Sequence, residues 1–266
     1  MAGELIRVQH DERGFAVLSL ERPEALNSMT PAMGEELGQA VEELCADESL
    51  RAVILTGAGK AFCAGGDLEM LARDAQGGGP GGPAMGATPR EFYDRFLSIR
   101  KLPVPTIAAI NGPAIGAGLC LALACDLRVA ASGATMGMTF VRVGIHPGMG
   151  ATFWLPTLVG VAKAWELLFT GRLIDAREAY QIGLVNRVVQ RDRVVDEARE
   201  LAAEIAEAGP VAVRLLKETL RRSLDQGLER ALEDESRQQA RTFRTEDARE
   251  GIRAITEKRK AAFKGR

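Results

Sequence analysis

The chain has 266 residues, 46% hydrophobic and 26% charged, with a formal net charge of -2. That length supports one large core with or without an appendage, and the charge balance sets up no general field for nucleic acid or an acidic membrane surface. None of the four cysteines, Cys45, Cys63, Cys120 and Cys125, forms a CxxC pair, so no zinc ribbon or disulfide scaffold is indicated and a reducing, cytoplasmic setting is expected. No apolar run approaches membrane-spanning length, and no apolar signal segment opens the chain.

Leu5 to His10 and Phe15 to Leu20 read as two strands joined by Asp11-Glu12-Arg13-Gly14, a hairpin with glycine closing the turn. Residues 21–27 are a loop. Thr30-Pro31 is a helix N-cap followed by proline at the first position. Met33, Leu37, Val41 and Leu44 then recur at helical spacing. Ala52 to Thr56 is a continuous apolar strand of the kind buried on both faces. It ends at Gly57-Ala58-Gly59, and Ala61 to Leu68 forms a glycine-bearing turn into a helix.

Residues 73–89, with Gly77 to Gly79, Pro80, Gly81-Gly82 and Pro83, read as a surface loop inside the domain, either a lid or a plain insertion. Arg90 to Arg100 resumes a helical pattern through Phe92, Phe96 and Ile99. Thr106 to Ile110 is a strand. Asn111-Gly112-Pro113 turns, and Gly116-Ala117-Gly118 opens a second apolar run, Leu119 to Cys125. Leu127 to Ala131 and a short piece at Thr135 to Thr139 are strands. Helices are expected near 152–159, 162–169 and 176–181, with a last strand at Leu184 to Val189. From Arg193 the chain is helical, with breaks near Gly209-Pro210, Gly227 and Thr245. Strands alternating with helices argue for an α/β core, 1–192, followed by a helical region, 193–266. No internal repeat is evident.

The segment from Val104 to Asp126 is the organising stretch. A strand, a Gly-rich turn and a helix start together let a ligand approach backbone closely and leave N–H groups without intrahelical partners at the positive end of a helix dipole. Such a site attracts and polarises a negative oxygen. The Rossmann pattern fails, because Gly116-Ala117-Gly118 is followed by Leu119-Cys120-Leu121, and the chain has no GxSxG.

The residues resemble the enoyl-CoA hydratase/isomerase (crotonase) superfamily over nearly the whole length. The matching blocks are Arg22-Pro23 with Ala25-Leu26-Asn27, Lys60 to Leu68, Asn111 to Asp126, Gly171 to Val189, and Glu257 to Phe263. The resemblance implies a crotonase-like ββα spiral with C-terminal helices that assemble homo-trimers, often paired into hexamers. It implies an acyl-CoA substrate, coenzyme A being part of the substrate and no cofactor tightly bound. It also implies no metal, nucleic acid or membrane partner. The backbone N–H groups of Gly66 and Ala117 would form an oxyanion hole for the thioester carbonyl. Arg22, Ala25, Lys60, Ala64, Gly65, Asp67, Leu68, Gly116 and a neighbouring subunit's Lys258 would lie along the coenzyme A portion. Met138 and Phe140 would line the acyl pocket.

One departure bears on chemistry. The family's hydratases carry two glutamates, at positions that match Cys120 and Phe140 here. Hydration needs one group to deprotonate water and another to protonate the α-carbon, and phenylalanine does neither. His146, Cys120 and Tyr93 are the candidate replacements. His146 has the right titration range for a base, or is an imidazole bonded to backbone in a turn. Cys120 has a thiol at a helix start, or is a buried apolar filler. Tyr93 lies in the helix after residues 73–89, while Glu91 and Asp94 there read as a solvated face. The readings left open are an acyl-CoA enzyme with weak hydratase, isomerase or hydrolase-type chemistry, and a non-catalytic acyl-CoA-binding or scaffold subunit.

Overall fold

A computed structural model describes residues 4–76, 88–225 and 228–262. The expected hairpin is present as β1 (Ile6–Asp11) and β2 (Phe15–Leu20), closing at Gly14 with φ +86°. Thr30 caps α1 (Pro31–Ala46), its Oγ1 accepting from the Met33 N–H, and Met33, Leu37, Val41 and Leu44 are buried. Each such side chain contributes roughly 1.5–3 kcal/mol of hydrophobic stabilisation. β3 (Ala52–Gly57) is buried along its whole length. After the first glycine turn come α2 (Leu68–Gln76) and α3 (Pro89–Phe96). Residues 73–76 therefore continue a helix instead of opening a loop. The Gly-Pro run expected as a lid or insertion lies outside the described residues.

β4 (Thr106–Ile110) leads through a two-residue strand, β5 (Ala114–Ile115), into α4 (Ala117–Leu123). β6 (Leu127–Ala131) and β7 (Thr135–Gly137) follow, then α5 (Ala151–Val159) and α6 (Val161–Thr170). β8 (Ile174–Asp175) enters α7 (Ala176–Gln181), and β9 (Arg187–Val189) is the last strand. It starts later than expected because the N–H groups of Leu184 and Val185 turn back to the Ala179 carbonyl and close α7. The chain ends in α8 (Val194–Ala206), α9 (Pro210–Asp225), α10 (Leu228–Thr242) and α11 (Glu246–Thr256).

The main sheet has the order β1-β2-β3-β4-β6-β9, antiparallel at β1/β2 and parallel from there. A second layer of very short pieces runs beside it. Met29 bridges Gly66, Cys63 bridges Ala114, β5 pairs with β7, and β7 pairs with β8. Each main strand from β2 to β6 is thus followed by a short piece in the second layer and then a helix. This is a ββα spiral, a repeat of structure with no repeat of sequence behind it. α8 packs on β3, β4 and β6, so the helical region begun at 193 is anchored to the core by its first helix. α9 is tied in by buried Lys217, which donates to the Val104 carbonyl at 2.6 Å and pairs with Asp126 at 2.7 Å. Asp126 also accepts from the Thr106 N–H and hydroxyl, fixing the entry to β4. No helix among the described residues is long and apolar enough to cross a membrane.

The two glycine turns lie backbone against backbone. A Cβ on Gly118 would fall 2.2 Å from the Cys63 carbonyl oxygen, and one on Gly112 would fall 2.1 Å from that of Lys60. Gly118→Ala is expected to cost about 2 kcal/mol or more, the usual scale for overpacking a close-fitted interior. Urea unfolding followed by tryptophan fluorescence measures it, and an unchanged midpoint would contradict this packing.

Candidate active site

The turns meet at a cavity of about 590 Å³. Gly65 has φ +92° and Gly116 φ +54° with ψ -120°, conformations that a side chain resists. A Cβ on Gly65 would lie 2.7 Å from the Ile115 carbonyl oxygen and 3.5 Å from the Ala117 nitrogen, so only glycine lets the first turn touch the second. The Met29 N–H donates to the Gly65 carbonyl and the Asp67 N–H to that of Met29, bonds that straddle Gly66. At the second turn the Cys120 N–H is the one that reaches the Gly116 carbonyl, so Ala117 lies in the first turn of α4, where its own N–H has no intrahelical acceptor. The N–H groups of Gly66 and Ala117 find no protein acceptor among the described residues, and both residues line the cavity. α4 is seven residues long. A helix this short brings mainly its own unpaired N–H groups to the site, with little added macrodipole.

The loop before α1 and the first turn meet at one end of the cavity. Arg22 Nη1 lies 2.8 Å from Asp67 Oδ2 and 2.9 Å from Ser28 Oγ. Asp67 Oδ1 caps α2 by accepting from the N–H groups of Glu69 and Met70. Burial pushes the Asp67 carboxyl up, but the Arg22 guanidinium and the Met70 N–H outweigh that and hold it below the usual carboxylate range. Ala25, Ala64, Leu68 and Gly116 share this lining. Lys60 and Lys258 are exposed and do not line the cavity. The other carboxylates on the wall, Glu24 and Glu69, have largely solvated side chains.

The remaining wall is apolar. Phe92, Phe140, Val143, Ile145, Met149 and Phe243 line it. A Cβ on Gly116 would lie 4.0 Å from Phe140 Cζ, which sets the Phe140 ring beside the second turn. Met138 does not reach the cavity. It is buried beside Cys120, whose Sγ lies 3.7 Å from Met138 Sδ and 3.4 Å from the Gly148 carbonyl oxygen. Cys120 is likewise behind the wall. His146 does not line the cavity either. Its Nδ1 meets the Pro147 carbonyl at 2.7 Å and its N–H donates to Thr242 Oγ1 at 3.1 Å.

Tyr93 does line the cavity. It is 1% exposed, and its hydroxyl donates to Gln239 Oε1. Gln239 Nε2 in turn donates to the His146 carbonyl at 3.3 Å. The three candidate acid–base residues thus gather around one turn, 146–150, where all three hydrogen-bond to groups of the protein. Gln239 on α10, Phe243 just after it and Ile255 on α11 complete the wall. Sequence reasoning did not find them, because helical spacing says which face is apolar and not which cavity that face covers.

A family model described as enoyl-CoA hydratase/isomerase matches residues 10–266. The chain is 39% identical over 268 residues to crotonyl-CoA hydratase of Syntrophomonas wolfei, covering 99% of each sequence. Its fold is similar to the crystal structure of an enoyl-CoA hydratase/isomerase from Pseudoalteromonas atlantica, with TM-score 0.87, 30% identity, and 98% and 100% of the two chains covered. It also resembles a monofunctional enoyl-CoA isomerase from M. smegmatis, with TM-score 0.68, 34% identity, and 84% and 95% covered.

Burial lowers the His146 pKa from its ordinary 6.5, and the Pro147 carbonyl opposes this only in part. The unfolded chain therefore binds more protons just below 6.5, so the His146 contribution to stability is complete above that window and lost as pH falls through it. The parent is expected to lose more stability than His146→Gln between about pH 7.5 and about pH 5 in urea titrations. Equal losses would show that His146 is not held neutral by the fold.

Proposed function

This chain belongs to the enoyl-CoA hydratase/isomerase family; on that premise we propose that it is an enzyme that takes an acyl-CoA thioester and polarises its carbonyl between the N–H groups of Gly66 and Ala117. The observation that carries the reading is that Gly66 and Ala117, from two separate turns, both line one largely apolar cavity and that their N–H groups have no protein acceptor among the described residues. Two fixed donors aimed at one oxygen stabilise the negative charge that develops there when an enolate or tetrahedral oxyanion forms, and each is worth roughly 10²–10³ in rate. Coenzyme A enters as part of the substrate, with Arg22, Ala25, Ala64, Gly65, Asp67 and Leu68 beside it.

Hydration demands more than polarisation. A positioned acid or base typically supplies about 10²–10⁴ in rate. At the two positions that match the family's glutamates, Phe140 presents hydrocarbon to the cavity and the Cys120 thiol faces the Gly148 carbonyl. We therefore propose that simple hydration is weak and that isomerase- or hydrolase-type thioester chemistry replaces it. The absence of a carboxylate at both positions also favours a second reading, a non-catalytic acyl-CoA-binding or scaffold subunit.

We further propose a cytoplasmic homo-trimer or hexamer. None of the four cysteines is in a disulfide, and α6 and α9 present Trp165, Phe169, Leu215, Leu216 and Leu220 to solvent, Phe169 at 75% exposure. Assembly would cover these side chains and would bring Lys258 of one copy toward the coenzyme A bound by another.

Crotonyl-CoA is expected to bind and to be hydrated far more slowly than the ordinary enzyme median of about 10 s⁻¹. Stopped-flow absorbance measures the rate, and turnover near that median would contradict the account. An acyl-CoA panel followed by mass spectrometry separates the readings: conversion of any member identifies the enzyme, and binding of several without conversion identifies the scaffold.

A further inference from the structure

The turn between β3 and the first glycine turn, residues 57–61, has four carbonyl groups with unusual partners. Asn111 Nδ2 donates to the Gly57 oxygen at 2.8 Å and to the Gly59 oxygen at 3.1 Å. Asn27 Nδ2 donates to the Ala58 and Ala61 oxygens, both at 2.9 Å. Each asparagine therefore uses both of its amide hydrogens on one turn. Both side chains are buried, and the other side of each amide is engaged as well. Asn27 Oδ1 accepts from the Arg22 N–H at 2.9 Å, and Asn111 Oδ1 faces the Thr56 hydroxyl at 3.5 Å. Flipping either amide would turn its oxygen onto two carbonyl oxygens, so both orientations are fixed.

The two asparagines come from opposite sides of the site. Asn27 is two residues before Met29, whose backbone bonds straddle Gly66. The Cys63 thiol, pushed up to about 12 by burial and so kept protonated, donates to the Asn27 carbonyl at 3.0 Å. Asn111 follows β4 directly and stands six residues before Ala117. Next to it, Gly112 lies so close to the Lys60 carbonyl that a Cβ would fall 2.1 Å from the oxygen. Residues 57–61 are thus the common abutment of both turns. A pair of hydrogen-bond donors acts on an oxyanion only when both are held at bonding distance from one point. Resting on the proposed oxyanion reading, we propose that the buried amides of Asn27 and Asn111 are positioning groups that set the separation of the Gly66 and Ala117 N–H groups.

Infrared difference spectroscopy of bound butyryl-CoA, carrying ¹³C at the thioester carbonyl, tests this on the full-length protein. Two converging N–H groups should lower that carbonyl stretch relative to free butyryl-CoA. Asn111→Ser, too short to span both carbonyls, should lose at least half of the lowering while still binding the ligand. Gly112→Ala, which wedges the same two segments apart by another means, should do the same if Asn111→Ser does not fold. Leu44→Ala, a core truncation in α1, should destabilise the protein and keep the lowering in full. Asn111→Ser or Gly112→Ala protein that lowers the stretch as much as the parent would overturn the inference and leave the amides a purely stabilising role. A parent that leaves the stretch where it is in solution would overturn the oxyanion reading and this inference with it.

Discussion

Backbone resting on backbone is the constraint from which the rest of this structure follows. Gly57, Gly65, Gly112 and Gly118 each sit where an added Cβ would come within 2.7 Å of a carbonyl oxygen of a neighbouring segment. Contact that close excludes side chains, so the peptide groups themselves must satisfy one another. Most do, through the bridges between Met29 and Gly66 and between Cys63 and Ala114. Where the turns diverge around the cavity, the Gly66 and Ala117 N–H groups are left without a protein acceptor among the described residues. The carbonyls of Gly57, Ala58, Gly59 and Ala61, in the segment that abuts both turns, are met by two buried asparagines. One geometric demand thus accounts for the glycines, the asparagines and the open N–H groups together.

On the proposed reading, the site keeps the electrostatic half of family chemistry and has changed the proton-transfer half. Phe140 stands beside the second turn as hydrocarbon. Cys120, His146 and Tyr93 come together around turn 146–150, yet the hydrogen bonds there serve the turn. The Cys120 thiol meets the Gly148 carbonyl, the His146 ring meets the Pro147 carbonyl, and the Tyr93 hydroxyl donates to Gln239. Gly148 belongs to the same arrangement, since a Cβ there would fall 2.3 Å from the Tyr93 hydroxyl oxygen. On the same reading this apolar wall would hold the acyl chain, and fixed dipoles beside it would act with less screening than in water.

Long elements with a strong local cause were legible in the sequence. The apolar run of β3 and the Thr30 cap are both where their residue types place them. The second layer was not legible, because pieces of two or three residues such as β5, β7 and β8 are too short to carry a period-two pattern. Their order comes from register with neighbours, which only the folded chain supplies. The glycine turns were legible as turns, while the cavity behind them was legible only in part. Phe140 and Tyr93 reach it, but Met138, Cys120 and His146 do not line it. Gln239 on α10 and Phe243 just after it come from far along the chain, and no local pattern announces such a meeting.

The most direct test of the central claim is a crystal structure with a non-reactive acyl-CoA bound. The account predicts the thioester oxygen about 2.7–3.1 Å from both the Gly66 and the Ala117 nitrogens. It also predicts the Phe140 ring against the acyl chain and no carboxylate of this chain within reach of the α- or β-carbon. A thioester oxygen bound elsewhere, or a carboxylate positioned at those carbons, would contradict it.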